Sequence, residues 1–270
     1  MIIGIDIGGT TTKIVSLAGS NILRLFTVSA SDPVTSASGA LGKLMDSDSV
    51  SVNDFEKIVI TGAGASFIKS DIIGIPVSRI DEFKAIGLGG LYLSKMKKAV
   101  VVSLGTGTAI VKAEENRTVH IGGTGVGGGT LLGLSRSILG ITDMNNIIEL
   151  AGKGDLGKID LAISDISNSV IDDLPPTATA SNFGKISDKV EKSDYALGII
   201  NLVFQTIGVL AVFASRQTDN RDIVLTGRLA LIPQAKSIFD GISRIYGVRF
   251  HIPENADYAT AVGAAIYPVL

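Results

Sequence analysis

Two glycine-rich turns, each leaving an apolar β-like run, constrain this chain most. The first is Ile3-Gly4-Ile5-Asp6-Ile7-Gly8-Gly9-Thr10-Thr11-Thr12-Lys13. The second, about a third of the way along, is Val100-Val101-Val102-Ser103-Leu104-Gly105-Thr106-Gly107-Thr108. Each predicts a hairpin whose tip offers backbone N–H groups and hydroxyls to an anion with several oxygens, above all a phosphate. Separated by roughly a domain's length, the pair suggests two lobes that close on one polyphosphate.

The segments around these turns read as a duplicated α/β pattern. Ile2–Ile7, Lys13–Leu17 and Ile22–Val28 predict an antiparallel meander. Ser31-Asp32-Pro33 starts a helix to about Met45. Lys57–Thr61 is a β-branched strand, Gly62-Ala63-Gly64-Ala65 turns into a short helix, Pro76–Ile80 is a strand and Asp81–Ser94 a helix. From Ala99 the pattern recurs: strands at Ala99–Ser103, Thr108–Glu114 and Arg117–Ile121, helices at Thr130–Leu139 and Met144–Ala151, and a loop at Leu174–Thr177. A long helix, Tyr195–Arg216, a strand at Asp222–Thr226, a helix at Ala230–Tyr246, a strand at Val248–Ile252 and a helix at Tyr258–Tyr267 complete it. The expected division is an N-terminal lobe over 1–95 and a C-terminal lobe over 96–270.

Composition removes several function classes. The 270 residues contain no cysteine, which excludes disulfides, thiolate metal sites, iron–sulfur clusters and cysteine nucleophiles. A net charge of −2 without a basic stripe argues against nucleic acid. Mean hydropathy is high at +0.42, but the longest apolar stretch, Ala196–Ala214, is broken by Asn201, Gln205 and Thr206 and reads as a buried helix rather than a membrane span. The N-terminus runs straight into a strand, unlike a signal peptide, so a cytoplasmic enzyme without a membrane partner is expected. Glycine, 32 of 270 residues, is about 12% against a usual ~7%, and its clustering points to loops that approach a ligand closely.

The candidate site residues each have a plain reading beside the functional one. Asp6 could orient Mg²⁺, which keeps several waters and needs few protein ligands; it could equally satisfy turn amides. Lys13 could reach a phosphate oxygen or be an ordinary solvated lysine. The run Gly122-Gly123-Thr124-Gly125-Val126-Gly127-Gly128-Gly129 is entropically costly as mere structure and feeds a helix N-terminus suited to an anion or nucleotide. It is no Walker loop, since no Gly-Lys-Ser/Thr follows. Asp81-Glu82 reads as an acidic helix cap by spacing, with Glu82 as a general base the alternative. His120 and His251, without metal-ligand partners nearby, read as structural. Asn182-Phe183-Gly184 is a cap and turn or an anchor for a substrate loop.

Taken in order, these pieces resemble the actin/sugar-kinase/heat-shock ATPase superfamily, and within it the type II, eukaryotic-like, pantothenate kinases. The matching stretches are Gly4–Thr10, Glu82-Phe83, Gly105–Thr108, Gly122–Gly129, Ile141-Thr142-Asp143, Lys153-Gly154-Asp155, Thr179–Gly184 and Ala261–Ala264. They span nearly the whole chain. The first and third are shared across the superfamily; the long glycine run and Ser181-Asn182-Phe183-Gly184 narrow it to the family.

The resemblance implies two ribonuclease H-like lobes with a nucleotide cleft between them. It implies ATP-dependent phosphorylation of pantothenate to 4'-phosphopantothenate, the first step toward coenzyme A, with Mg²⁺ as cofactor. Asp6, Gly8, Gly9, Thr10, Thr11, Thr12 and Lys13 would hold phosphates, with Asp6 on the metal. Gly105, Thr106, Gly107, the stretch Gly128, Gly129, Thr130, Leu131 and Leu132, with Met144 and Arg228, would line the nucleotide site. Glu82 matches the catalytic base, and His120 and Asn182 fall on the substrate side. A homodimer through the Tyr195–Arg216 helix, and feedback by coenzyme A or its thioesters, are further implications. One departure stands out: the family usually has an arginine where this chain has His120, and imidazole does not replace a bidentate guanidinium. Arg117 is a possible substitute. The rival functions are another small-molecule kinase of the superfamily, such as one acting on an amino sugar, a non-catalytic ATP-binding regulator, and an ATPase activator of a radical dehydratase, which the missing cysteines disfavour.

Overall fold

The structure, a computed structural model, describes residues 1–29, 32–48, 50–115, 117–167 and 174–269. The first half contains β1 (Ile2–Ile7), β2 (Thr11–Ala18), β3 (Asn21–Ser29), α1 (Pro33–Asp48), β4 (Lys57–Thr61), β5 (Asp71–Ile72), β6 (Ile75–Arg79) and α2 (Glu82–Ser94). The second contains β7 (Lys98–Leu104), β8 (Thr108–Glu114), β9 (Arg117–Thr124), α3 (Gly128–Leu139), α4 (Met144–Ala151), β10 (Leu161–Ala162), α5 (Ile163–Ile166), β11 (Thr179–Ser181), α6 (Lys192–Gln217), β12 (Asp222–Thr226), α7 (Pro233–Tyr246), β13 (Arg249–His251) and α8 (Ala259–Ile266).

The duplication expected from sequence is a topological fact. Among the described residues, the first sheet runs β3-β2-β1-β4-β6-β5 and the second β13-β12-β7-β8-β9. Reversing the second gives β9-β8-β7-β12-β13, the first sheet's order without its short edge strand. In both, an antiparallel meander is extended by parallel strands. Period-2 alternation builds the first core: Ile3, Ile5 and Ile7 of β1 are fully buried against Ala37, Ala40, Leu41 and Leu44 of α1. The second core is threaded by α6, whose Ile199, Ile200, Val203, Phe204 and Ile207 are fully buried.

The two halves are tied together by α2 and α8. α2 lays Ile86 and Leu91 on Val101 and Val111 of the second sheet, while α8 packs Ala261, Val262 and Ala265 against Val15 and Val59 of the first. Each helix therefore leaves the half that precedes it and covers the other. The helices cross at backbone contact: a Cβ on Gly89 would lie 1.7 Å from the Ala259 carbonyl oxygen, and one on Gly263 1.8 Å from that of Ala85. Glycine in a helix costs about 1 kcal/mol against alanine, so its use here reflects the need for close approach at the interlobe joint.

Several boundaries differ from expectation for local reasons. Asp32 caps α1 through the Thr35 amide, 2.7 Å from Oδ1; Ser31 lies outside the described residues. Ala230–Tyr246 divides into a 3-10 turn, Arg228–Leu231, and α7, because Pro233 restarts the helix at its first position. Tyr258–Tyr267 likewise divides into a 3-10 turn over Ala256–Tyr258 and α8. α6 begins at Lys192, three residues before the expected Tyr195, because Asp194 accepts the Glu191 amide at 2.9 Å. The β10–β11 ribbon was not expected: its strands are two and three residues long, too short to show a period.

α6 is long and apolar enough to cross a membrane, yet 61% of its most apolar window is buried inside the fold. It is the core helix of the second lobe.

At the far edge of the second sheet, Asp222 accepts from Arg249 Nε and Nη2, each at 2.7 Å, and pairs with His251 Nε2 at 2.8 Å. The Arg249 hydrogen bonds hold its carboxyl down at about 2, aided by His251 and opposed by partial burial. A depressed acid contributes stability that is present above its unfolded value of 3.8 and lost as pH falls through 2. Solvent around the pair screens it, so Asp222→Asn is expected to lower unfolding stability by about 1 kcal/mol at pH 7. Urea unfolding at pH 7 and pH 2 checks this; a loss of equal size at both would refute it.

Candidate active site

Asp6, Lys13 and Glu82 form one electrostatic group at the joint between the lobes. Asp6, the penultimate residue of β1, stands directly opposite Lys13 of β2 in the antiparallel register. Burial pushes the Asp6 carboxyl up to about 7, against the pull of Lys13 and with a further push from Glu82. Burial lowers Lys13, the charges of Asp6 and Asp257 raise it, and Arg228 lowers it again. Glu82 is held above its usual range by partial desolvation and by the neighbouring charge of Asp81. One carboxylate, one ammonium, one guanidinium and a second, proton-hungry carboxylate thus converge from β1, β2, the turn after β12 and the start of α2.

The helix-cap reading of Asp81-Glu82 is divided by the structure. Asp81 is the cap, its Oδ1 accepting the Lys84 amide at 3.0 Å. Glu82 occupies the first helical position, exposed and free of that duty. Behind it, Phe83 stacks on His120 with ring centroids 3.8 Å apart and planes 9° from parallel. Arg117 sits at the β8–β9 hairpin end, opposite Glu114 and three residues along β9 from His120. One residue of β9 is extra between His120 and Gly122, a bulge that places His120 level with Val111 and Gly122 level with Ile110.

The first turn leaves Gly9 and Thr10 exposed, closed by the Gly8 amide to the Thr11 carbonyl at 3.0 Å. Beside it lie Asp32, Pro33, Ala63, Gly64 and Phe67 around a small cleft. Thr12 is a correction to the expected phosphate set. Strand alternation turns it away from Lys13 and into the fold, where its hydroxyl is 2.8 Å from that of Ser36 on α1 and fully buried.

The second turn and the glycine run are built into each other. The Gly128 amide donates to the Gly105 carbonyl and the Gly129 amide to the Thr106 carbonyl, both at 2.9 Å. A Cβ on Gly127 would lie 2.6 Å from the Thr106 carbonyl oxygen. Two amides expected to face an anion are therefore engaged within the protein, and the glycines serve the close approach of α3 to the turn. Gly105 and Thr106 remain exposed at the tip, and Thr130 bonds back to the Gly125 carbonyl at 3.0 Å. Leu131 is a second correction: it is fully buried in the second core, so it lines no cleft. Leu132 and Met144 pack half-buried on the same core, with Asp143 capping α4.

Asn182 is engaged away from this group. Its Nδ2 donates to Asp160 Oδ2 at 3.2 Å and to Gln205 Oε1 at 3.3 Å, while the Phe183 amide donates to Asp160 Oδ1 at 2.9 Å. Asn201 donates to the same Asp160 at 2.6 Å. Asn182 thus ties the segment before α6 to α6 itself.

Residues that the sequence left unremarked also frame the site. Lys13 Nζ donates to the Asp257 carbonyl, and the Gly227 amide donates to the Ala256 carbonyl at 2.9 Å. Thr27 donates to the Tyr258 hydroxyl at 3.0 Å. The stretch Asn255–Tyr258 therefore links the β12 turn to β2 and β3 of the other lobe. A magnesium ion keeps most of its waters and takes one or two carboxylates. Asp6, close to the exposed turn and with an unpartnered Thr61 hydroxyl on the neighbouring strand, fits that demand. Among the described residues no three His, Cys, Asp or Glu side chains gather into a closed metal cage.

Two duplicated lobes, each with a Gly/Thr turn after its first strand, define a protein of the actin-like fold. Solved structures agree on that fold. An activator of 2-hydroxyisocaproyl-CoA dehydratase from Clostridium difficile with bound ADPNP superposes with TM-score 0.71 at 19% identity, covering 98% of this chain and 93% of the other. A ROK hexokinase from Thermus thermophilus gives 0.61 at 15%, covering 98% and 97%. In sequence, residues 98–246 match the Fumble family. A type II pantothenate kinase of Bacillus cereus (strain G9842) is 30% identical over 275 residues, 98% of this chain and 97% of the relative. One of Staphylococcus haemolyticus is 25% identical over 276 residues, covering 98% of each. The chain belongs to the Fumble family, and its relatives are type II pantothenate kinases along its whole length.

Proposed function

We propose that this chain transfers the γ-phosphoryl group of ATP to the primary hydroxyl of pantothenate, yielding 4'-phosphopantothenate and ADP. What supports this is the charge coupling of Glu82 to Asp6, which stands opposite Lys13, in a chain whose full-length relatives are type II pantothenate kinases. Glu82 accepts the hydroxyl proton as the alcohol oxygen bonds to the γ-phosphorus. The bond from that phosphorus to the oxygen bridging to ADP breaks, and ADP leaves with the electron pair. Lys13 and Arg228, one cation from each lobe, hold phosphate oxygens; Lys13 exchanges the Asp257 carbonyl for one of them. Phosphoryl transfer needs mainly positioning and charge stabilisation, which suits so small a set of reactive groups. Asp6 is the residue that would hold Mg²⁺, which when bound neutralises phosphate charge.

The two lobes divide between 95 and 96, and their closure would bring the two turns together and exclude water. Self-association uses α6, where Leu202, Thr206, Val209, Leu210 and Phe213 recur at helical spacing and stay partly exposed, Phe213 at 51%. The enzyme works in the cytoplasm, and coenzyme A or its thioesters feed back on it. A coupled ADP-release assay over an acceptor panel tests the reading. Turnover is expected with pantothenate and to be absent with hexosamines; the reverse pattern would replace pantothenate kinase by an amino-sugar kinase.

A further inference from the structure

The turn leaving β4 is a second copy of the turn leaving β12. Ile58-Val59-Ile60-Thr61-Gly62 and Ile223-Val224-Leu225-Thr226-Gly227 share one pattern. Their glycines have matching left-handed conformations, φ 87 and ψ 164 at Gly62, φ 89 and ψ 165 at Gly227, and each opens a 3-10 turn. Each strand lies parallel to the first strand of its sheet, with Thr61 level with Asp6 and Thr226 level with Ser103. Each glycine crowds the end of that strand: a Cβ would fall 2.7 Å from the Ile7 carbonyl oxygen at Gly62 and 2.4 Å from the Leu104 carbonyl oxygen at Gly227.

Two differences single out the β4 copy. A Cβ on Gly62 would also lie 2.5 Å from Oδ1 of Asp6. And whereas the Thr226 hydroxyl donates to the Val102 carbonyl at 3.4 Å, Thr61 Oγ1 has no hydrogen-bond partner among the described residues, although Thr61 is only 1% exposed. Level residues on neighbouring parallel strands project to the same face of a sheet. The orphaned hydroxyl therefore stands beside the Asp6 carboxylate. The unpartnered Ser16 hydroxyl, by alternation from Thr12, belongs to the opposite, α1 face. A buried hydroxyl without a partner is destabilising, so its retention next to this one carboxylate calls for a state in which the two meet.

We propose that Thr61 and Gly62 are positioning residues for Asp6: the Thr61 hydroxyl donates to the carboxylate in its metal-holding orientation, and the bare Gly62 leaves the space that orientation occupies. This rests on Asp6 as the magnesium residue, and not on pantothenate as the acceptor.

The test titrates Mg²⁺ into the full chain with a non-hydrolysable ATP analogue and reads nucleotide binding by calorimetry, with the thermal midpoint recorded in EDTA. Thr61→Val is expected to need about ten times more Mg²⁺ for half-maximal binding, the usual scale for losing a partner behind a metal ligand. Its metal-free thermal midpoint is expected to be equal or higher, because an orphaned hydroxyl has been removed. Thr61→Ser restores wild-type Mg²⁺ demand within twofold. A Thr61→Val demand within twofold of wild type, or a Thr61→Ser as impaired as Thr61→Val, overturns the proposal. Should the valine variant not fold, Thr61→Ala compared with Thr61→Ser gives the same contrast, and equality between them overturns it. Wild-type nucleotide binding that ignores Mg²⁺ would remove the metal role of Asp6 and this proposal together, while failure of pantothenate as acceptor would touch neither.

Discussion

Glu82→Gln is expected to reduce pantothenate turnover by about 10²–10⁴-fold, the range for losing a positioned general base, while leaving ATP-analogue binding within twofold. Glutamine keeps the shape and the first helical position, and Asp81 keeps the cap through Lys84, so α2 should start unchanged. What disappears is the proton acceptor. The neighbouring carboxylate gains: the charge of Glu82 raises Asp6, and its removal makes Asp6 easier to ionise, so metal-dependent nucleotide binding should not weaken. A pH profile adds a sharper readout. Glu82 acts as a base only when deprotonated, and partial desolvation and Asp81 hold it above the usual carboxylate range. With Mg²⁺ saturating, so that Asp6 stays ionised, wild-type kcat/KM should therefore rise with pH through that raised value, and the residual rate of the variant should lack the limb. Unchanged turnover in Glu82→Gln, with nucleotide still bound, would favour the ATP-binding regulator over the enzyme.

The parts of the fold legible in sequence are those with long, regular patterns. The meanders, the α1 pattern and the apolar run of α6 all carry enough period to be read. The two Gly/Thr turns announce themselves because glycine clusters have few other uses. What escaped was decided by distant partners. Thr12 sits within the phosphate-like string Thr10-Thr11-Thr12, and only strand alternation against α1 assigns it to Ser36. Leu131 lies inside a glycine-rich helix start, but the second core claims it. The glycines of the 122–129 run do approach something closely, and it is the protein's own second turn. Glu82 was ambiguous because its neighbour is the same type of residue; only a hydrogen bond shows that Asp81 alone caps the helix. The repeat of Ile-Val-Ile/Leu-Thr-Gly at 58–62 and 223–227 was present in the sequence, and a search for internal similarity around strand ends would have found it.

Asp6→Asn is expected to abolish Mg²⁺-dependent nucleotide binding and, in the same protein, to raise its stability at neutral pH and above when metal is absent. The first effect follows from removing the one carboxylate that β1 delivers to the phosphate turn. The second follows from what burial does to that carboxylate. Its ordinary value is 3.8 and the folded protein lifts it to about 7, chiefly by desolvation, with Lys13 opposing and Glu82 adding. Between those values the unfolded chain has released the proton and the folded chain retains it, so each step up in pH favours unfolding. The penalty is complete above the folded value. At 1.36 kcal/mol per pH unit it reaches about 4 kcal/mol, and partial relaxation of the charged form would reduce it to about 2. An asparagine has no proton to lose, so the metal-free variant escapes the penalty and should melt about 5 °C higher at pH 8, on the usual scale of about 2–4 °C per kcal/mol for a chain of this size. At pH 5, where wild-type Asp6 is neutral in the fold, most of that gap should close. Adding Mg²⁺ and nucleotide should stabilise wild type and leave the variant unmoved, because only a ligand that binds the folded state shifts its melting. Thermal melts in EDTA at pH 5 and pH 8, repeated with Mg²⁺ and a non-hydrolysable ATP analogue, give all the comparisons. A variant that melts below wild type at pH 8 would mean that the Asp6 carboxylate is paired in the fold, with Lys13 outweighing burial, and that the site does not hold a destabilised charge in readiness for the metal.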